Sequence, residues 1–462
     1  MKIWKQTAAL TAALGTLLTL ASCGFLTGSE RTTGSGETYQ NPASYDAETP
    51  EALSDPESEA EEAAGDFTIV TEDGTVSREG SVWILGAAGE YRATGNLEEG
   101  QIVIRAGEED EVVLILAGAS ISSSAAAPIL VESAKEATVK AEEGTYNTVS
   151  DLRSGAEVEE NAAIYSATDL HLSGKGTLIV TSTYSNGIKS KDDLTVKNLT
   201  LKVTSPGVAL KGNDSVTVKS GSLILISTGA DGIKTANSDL SSQGKQRGTV
   251  SILGGQTDIY SAGDGVSAAY NAVVSEEEET VILNVRTGSY SSYTAEAASS
   301  QKGIKAENEV VILAGTVSIE SADDAIHATA GVALENGETS PGNVTVSGGV
   351  LTIVTGDDGV HADGNLTVEG GRIVIENSHE GLEGNVVTVA GGETYVYADD
   401  DAVNASAGAS TPLINVTGGY LEVETPSGDT DGVDSNGNVT VSGGFVLVKG
   451  GAQMGGMAGS VD

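Results

Sequence analysis

The sequence predicts an all-β fold, and within that class a parallel β-helix, on three observations. Short stretches alternate apolar and polar residues with a period of two, which suits strands and excludes helical repeats. A glycine-punctuated phrase returns with a shortest spacing of about 20–22 residues, enough for three short strands and three corners but about half of what a four-stranded propeller blade needs. The 462 residues include 60 Gly but only 3 Phe and 2 Trp, while Val, Ile and Leu stay frequent, as expected of a narrow aliphatic core built by stacking.

The first element, residues 1–22, reads as a secretory signal. Lys2 and Lys5 precede an apolar stretch from Thr7 to Leu20, too short for a convincing membrane span, and Leu20-Ala21-Ser22-Cys23 has the form of a lipoprotein cleavage box. Cys23, the sole cysteine, then becomes the lipid-bearing first residue instead of an unpaired thiol in an exported protein. Residues 23–66 form an acidic linker with few large apolar groups, a tether between the lipid and the body. The formal charge is −42, and loss of Lys2 and Lys5 leaves 22 basic residues against 66 acidic ones, or −44. That excess excludes nucleic-acid backbones and anionic lipid as electrostatic partners and favours cations. The expected location is the outer surface of a bacterial membrane, held there by lipid alone.

The body, residues 67–462, repeats one phrase. Asp357-Asp358-Gly359-Val360-His361-Ala362 opens a unit, Leu366-Thr367-Val368-Glu369-Gly370-Gly371 continues it, and Ile373-Val374-Ile375 closes it. Glycine pairs at 254–255, 348–349, 370–371, 391–392, 418–419 and 443–444 mark an inner corner. Aligning the small residue before each opening strand gives Gly187, Gly207, Gly232, Gly265, Gly303, Ala325, Gly359, Gly381, Ala402 and Gly432. The intervals are 20, 25, 33, 38, 22, 34, 22, 21 and 30 residues. The following residues, Ile188, Val208, Ile233, Val266, Ile304, Ile326, Val360, Leu382, Val403 and Val433, are expected to stack inward. Weaker copies around Ile102–Ile104, Val112–Leu116, Pro128–Val131 and Ala163–Ser166 extend the solenoid towards residue 67, and 236–248, 270–280 and 287–302 read as inserted loops that favour the working face.

Acids crowd the turn before each aligned glycine: Asp231, Asp264, Asp323, Asp324, Asp357, Asp358, Glu380, Asp400, Asp401 and Asp431, with Asp429 nearby. Equivalent residues of adjacent coils lie about 4.8 Å apart, where two carboxylates repel by roughly 3 kcal/mol at an effective dielectric near 20. Hard oxygen donors on successive turns suit Ca²⁺; the competing reading is ordinary turn chemistry, in which Asp bonds nearby backbone. Two residues beyond each aligned small residue stand Lys189, Ala209, Lys234, Ser267, Lys305, His327, His361, Glu383, Asn404 and Asp434. Of these, Lys189, Lys234, Lys305, His327 and His361 are candidates to meet the carboxylates of an acidic sugar or, in the plainer reading, to pair with the turn acids. A zinc site at His327 and His361 lacks a third nitrogen or sulfur ligand in register. Tyr395 and Tyr397, with Tyr260, Tyr420, Tyr290 and Tyr293, are candidate sugar-stacking rings, against the background that tyrosine favours strands anyway. There is no nucleotide loop, zinc-protease pattern or serine triad.

The ordered motifs Ala230-Asp231-Gly232-Ile233-Lys234, Gln301-Lys302-Gly303-Ile304-Lys305-Ala306, Ser321-Ala322-Asp323-Asp324-Ala325-Ile326-His327-Ala328 and Gly356-Asp357-Asp358-Gly359-Val360-His361-Ala362 are similar to those of the bacterial carbohydrate-binding β-helix family. That family is typified by clostridial cell-surface proteins that recognise cellulose and polygalacturonate. The resemblance runs on through Glu380-Gly381-Leu382-Glu383-Gly384 and Asp431-Gly432-Val433-Asp434 and covers roughly residues 67–450. It implies a right-handed parallel β-helix related to calcium-dependent polysaccharide lyases, with bound Ca²⁺ at the acid turns and carbohydrate binding in place of catalysis. The chain departs from such proteins after Lys449, ending at Asp462 where they continue for further coils. The expectation is therefore a monomeric, calcium-dependent, non-enzymatic binder of acidic plant polysaccharide, pectin ahead of cellulose. The alternatives are a lyase using a lysine such as Lys234 or Lys305 as base, and a structural or adhesive solenoid.

Overall fold

One coil shows how the chain winds. Asn186–Ser190, Asp193–Lys197 and Leu199–Ser205 are short strands separated by tight corners. Each pairs in parallel with the strand three further along: Ile188 lies opposite Leu210, Leu194 opposite Val216 and Leu201 opposite Leu223. Repetition of this pairing builds three columns of strands, a β-solenoid. Among the described residues 40 strands join one sheet system that is almost entirely parallel. The computed structural model describes residues 65–450 except 278, 294–299, 334–338, 407, 409 and 428–429. The signal segment, Cys23, all but the end of the acidic linker, Asp429 and residues 451–462 lie outside the described residues.

The alternation in each strand explains the core. Ile164, Ile188, Leu210, Ile233, Val266, Ile304, Ile326, Val360, Leu382 and Val403 stack inward along the first column and belong to one continuous buried cluster that runs the length of the solenoid. The upstream copies join it, with Ile102, Ile129 and Ile164 in successive register. At the N-terminal end pairing turns antiparallel: Thr68–Val70 runs against Gly89–Leu97, and Val76–Glu79 against Val82–Leu85. Phe67 meets Trp83 edge-on there, at 5.5 Å between centroids.

Register corrects one expected position. Ala209, not Gly207, is in line with Gly187 and Gly232, and Leu210, not Val208, continues the inward stack. Gly207 sits earlier in its turn, its N–H donating to Ser185 O, and a Cβ there would meet Asn186 N at 2.8 Å. With this alignment the uneven spacings of 20 and 25 become 22 and 23 residues. Two loops also differ from expectation. Within 270–280, Asn271–Val274 is a strand of the second column, because Ala272 and Val274 alternate inward between Val250 and Val310. Conversely, 329–342 contains a small antiparallel pair, Ala330–Ala333 against Thr339–Pro341, that the sequence did not announce.

Candidate cation and carbohydrate site

The acid turn is held from inside by hydroxyls. Strands of the third column end in a buried row that includes Ser205, Ser227, Ser261, Thr287, Ser321 and Thr355. Ser205 and Ser227 both donate to Gly207 O, at 2.9 and 2.8 Å, and Ser261 donates to Gly263 O at 3.0 Å. Sequence reasoning missed this row, although a Ser or Thr a few residues before the acids was there to be seen.

On that base the last acid of each turn reaches the next coil. Asp231 Oδ1 accepts from Asp264 N, Asp264 Oδ1 from Lys302 N and Asp401 Oδ1 from Asp431 N, each at 2.9 Å. Asp324 Oδ1 accepts from Asp358 N, and Asp358 Oδ1 from Glu380 N, both at 3.2 Å. One oxygen of these carboxylates is thus committed to joining coils. The turn-chemistry reading holds for that oxygen, with the bond running between coils, while the other oxygen faces a side chain in Asp231, Asp324 and Asp358: Lys234, Lys302 with His327, and His361. Asp323, Asp357 and Asp400 precede this ladder by one residue, and Asp323 and Asp357 are more exposed than Asp324 and Asp358.

Charge along the ladder is uneven. Lys234 Nζ lies 2.6 Å from Asp231 Oδ2. Lys302 occupies an acid's position, and its Nζ sits 2.7 Å from Asp323 Oδ1 and 2.5 Å from Asp324 Oδ2. Further on, like charges accumulate. Burial pushes the Glu380 carboxyl up to about 7, opposed by the Asn404 hydrogen bond and helped by Glu383, Asp358 and Asp401. Burial also raises Asp401, together with Asp400, Asp434 and Asp431. Among the described residues three groups have donor atoms all within 4.8 Å of one another: Asp323–Asp324–Asp357, Asp324–His327–His361 and Asp358–His361–Glu383. A divalent cation would relieve the repulsion at such places.

Beside the acids, the outward positions of the first column form a ladder: Lys189, Lys211, Lys234, Ser267, Lys305, His327, His361, Glu383, Asn404 and Asp434. Lys211 replaces the expected Ala209. Lys189 Nζ donates to Asn161 Oδ1 at 2.8 Å and lies 5.4 Å from the Tyr165 ring centroid, and Lys305 Nζ is 2.8 Å from Glu307 Oε1. Burial and neighbouring ammonium groups lower Lys189 and Lys211; for Lys234 the Asp231 carboxylate outweighs burial and raises it. Asp231, Lys234, Asp264, Ser267, Lys305 and Glu307 line an open cleft of about 540 Å³.

The two histidines continue the ladder. Their rings stack at 4.5 Å with 24° between planes. His327 Nδ1 lies 2.5 Å from Asp324 Oδ2, and His361 Nδ1 lies 3.0 Å from both Asp358 Oδ2 and Glu383 Oε2. Burial disfavours the charged ring, but Asp358, Asp363 and Glu383 overcome it and push His361 up to about 10. Both Nε2 atoms face Asp363 Oδ1, at 3.5 and 3.4 Å. Asp363 was not a sequence candidate, although it lies two residues beyond His361 in one strand.

The tyrosines belong elsewhere. Tyr395 and Tyr397 stand on the third column, so the structure does not bring them into the lysine–histidine ladder. Tyr395 lies 4.7 Å from the Arg372 guanidinium and 5.5 Å from Tyr420, which stacks on half-exposed Phe445 at 5.4 Å. Tyr260, expected to point to solvent, is only 3% exposed, flanked in register by Ile226 and Arg286. Tyr290 and Tyr293 are half-buried at a short 3₁₀ turn, Gly288–Ser291.

A carbohydrate-binding domain-containing protein of Acetivibrio thermocellus is 33% identical over 121 residues, 25% of this chain and 42% of that protein, so the match spans less than half of the relative. A solved structure described as the polysaccharide lyase-like protein from C. thermocellum, gadolinium derivative, aligns with 30% identity over 47% of this chain and 86% of its own, at a TM-score of 0.41. The family model of carbohydrate-binding domain-containing proteins matches residues 78–342, more than half of the sequence, and the chain belongs to that family.

Proposed function

We propose that this protein is a bacterial cell-surface lipoprotein, anchored through Cys23, whose right-handed β-helix binds an acidic plant polysaccharide with the help of Ca²⁺. Polygalacturonate is the favoured ligand and cellulose the neutral alternative. The observation that carries the reading is the cleft in which Lys234 and Lys305 stand beside Asp231 and Asp264. A chain of charge −42 repels a polyanion as a whole. Attachment therefore needs local positive charge, and here it has two sources: fixed ammonium groups for the sugar carboxylates, and calcium bridging turn acids to the same carboxylates. Arg372, Tyr395 and Tyr420 add a separate surface suited to sugar rings.

A second reading, a calcium-assisted lyase, is favoured by one feature. Lys211 is a lysine whose ammonium is destabilised by burial and by Lys234, as a proton-abstracting base requires; Lys234, held charged by Asp231, is the poorer candidate.

One set of measurements tests these readings. Affinity electrophoresis in polygalacturonate should show retardation that disappears on calcium chelation and weakens in a Lys234→Ala, Lys305→Ala variant. Retardation that survives chelation undiminished would sink the calcium-bridged reading, and binding to no glycan at all would leave only a structural solenoid. Ultraviolet absorbance of an unsaturated uronide in the same incubations would establish the lyase, and its absence across several pectins would dismiss it. Cells producing Cys23→Ser should release the binding activity into the medium; activity that stayed with the cells would refute the lipid anchor.

A further inference from the structure

We infer that His327, His361 and Asp363 form a binding site for one zinc-class divalent cation, distinct in its donors from the all-oxygen positions of the acid turns. The solenoid builds it by register: His327 and His361 are opposite one another on adjacent coils, which lays the imidazoles face to face at 4.5 Å. Their Nε2 atoms stand 3.5 and 3.4 Å from a single oxygen, Asp363 Oδ1. Those separations are long for hydrogen bonds. These two edges come within about 0.2 Å of the roughly 3.3–3.4 Å donor–donor edge of a coordination tetrahedron with metal–donor bonds of about 2.0–2.1 Å, and the third edge closes by a rotation of the stacked rings towards one another.

The surroundings fix the donors in place. Each Nδ1 is turned to a carboxylate, Asp324 for His327, and Asp358 with Glu383 for His361, which leaves Nε2 as the metal-facing nitrogen. A carboxylate behind a histidine is the usual support of a metal-ligating imidazole. Asp363 is anchored by its other oxygen, Oδ2, which accepts from Ala330 N at 2.8 Å. The three side chains are 13%, 23% and 33% exposed, so one side of the site stays open for a fourth ligand, water or a sugar oxygen. Two imidazole nitrogens with one carboxylate suit Zn²⁺ or Co²⁺ and not Ca²⁺, which prefers oxygen alone. The third ligand that the repeat itself did not supply is an oxygen, placed by alternation two residues after His361. On binding, the Nε2 positions release their protons to solvent and take the metal in exchange.

The test uses the untagged full-length chain, stripped by chelation and titrated with Co²⁺ in excess Ca²⁺. The expected result is one equivalent of Co²⁺ with visible ligand-field absorption that Zn²⁺ abolishes by displacement. Asp363→Asn, which keeps an acceptor for Ala330 N, should weaken binding at least tenfold. His327→Gln with His361→Gln should remove it while the circular dichroism spectrum stays unchanged. Absence of the absorption in the parent protein, or its full persistence in the folded double-histidine variant, overturns the proposal. If that double variant does not fold, Asp363→Asn decides: unchanged Co²⁺ affinity overturns the site and a tenfold loss upholds it.

Discussion

At the residue scale, glycine does two different jobs that the sequence shows with one letter. The second member of each pair, Gly255, Gly349, Gly371, Gly392, Gly419 and Gly444, has φ between +75° and +87°, a region that side chains rarely adopt. A Cβ on Gly371 would also stand 2.7 Å from Gly349 O. Gly384 differs: its φ is ordinary, its nearest contacts are at 3.3–3.4 Å, and Ala362 and Ala405 flank it in register. Gly371→Ala should therefore lower stability by about 1–3 kcal/mol, whereas Gly384→Ala should leave it unchanged or raise it by about 0.4–1 kcal/mol. Urea unfolding of the two variants checks this, and equal losses would refute the distinction. The glycine pairs were legible because their spacing is regular. Asp363 was not, because it lies outside the repeated phrase and becomes part of the site only when two coils stack.

At the element scale, the inserted segment 236–248 acts as a charge clamp on a second acidic corner, between the first and second columns. There Asp169, Asp192, Asp193 and Asp214 gather from successive coils. The insertion brings Lys245 to 3.2 Å from Asp193 Oδ2, pairs Arg247 with Asp214, and adds Asn237 Nδ2 donating to Asp214 Oδ1 at 2.8 Å. Asp192 is not among the acids this clamp pairs. Burial, then hydrogen-bonding proximity to Asp214 and the charges of Asp169, Asp214 and Asp193, push it up to about 6. A carboxyl raised in the folded state contributes stability that is complete below its unfolded pKa near 4 and is lost as pH rises through 6. Asp192→Asn should therefore raise the melting temperature at pH 7.5, with the gain shrinking below pH 6 and vanishing near pH 4. A gain that did not depend on pH would refute the cause assigned to it. The sequence announced this insertion but not the charges it meets. Its partners lie up to 52 residues upstream, as with Lys245 and Asp193, and only the winding of the chain reveals them. The slip at Gly207 has the same origin: glycine occurs both within turns and at strand starts, and pairing alone separates the two.

At the scale of the whole molecule, part of the −42 charge is organised into a gradient along the described coils. The outward ladder runs from Lys189, Lys211 and Lys234 through Lys305 and the histidines to Glu383 and Asp434. The turn acids beside it are matched by Lys234 and Lys302 in the earlier coils, while Glu380 and Asp401 in the later ones are buried among like charges. The alignment of acids was visible in the sequence, as was Lys302 in an acid's place, but their division into compensated and uncompensated members was not, because the acids that Lys302 meets, Asp323 and Asp324, belong to the next coil. Calcium should therefore stabilise the fold through its C-terminal coils. In a calcium-selective chelator the protein should melt at a lower temperature than with Ca²⁺ present at 100 times its dissociation constant, where binding contributes about 2.7 kcal/mol. Glu380→Gln combined with Asp401→Asn should raise the melting temperature in chelator, since it removes repulsion, and should diminish the calcium gain. Asp323→Asn, at a position where Lys302 already supplies a positive charge, should keep most of that gain. Sodium chloride of equal ionic strength separates site binding from screening. If salt reproduced the whole calcium effect, or if Asp323→Asn removed as much of it as the Glu380–Asp401 pair, calcium would not be acting at the later coils.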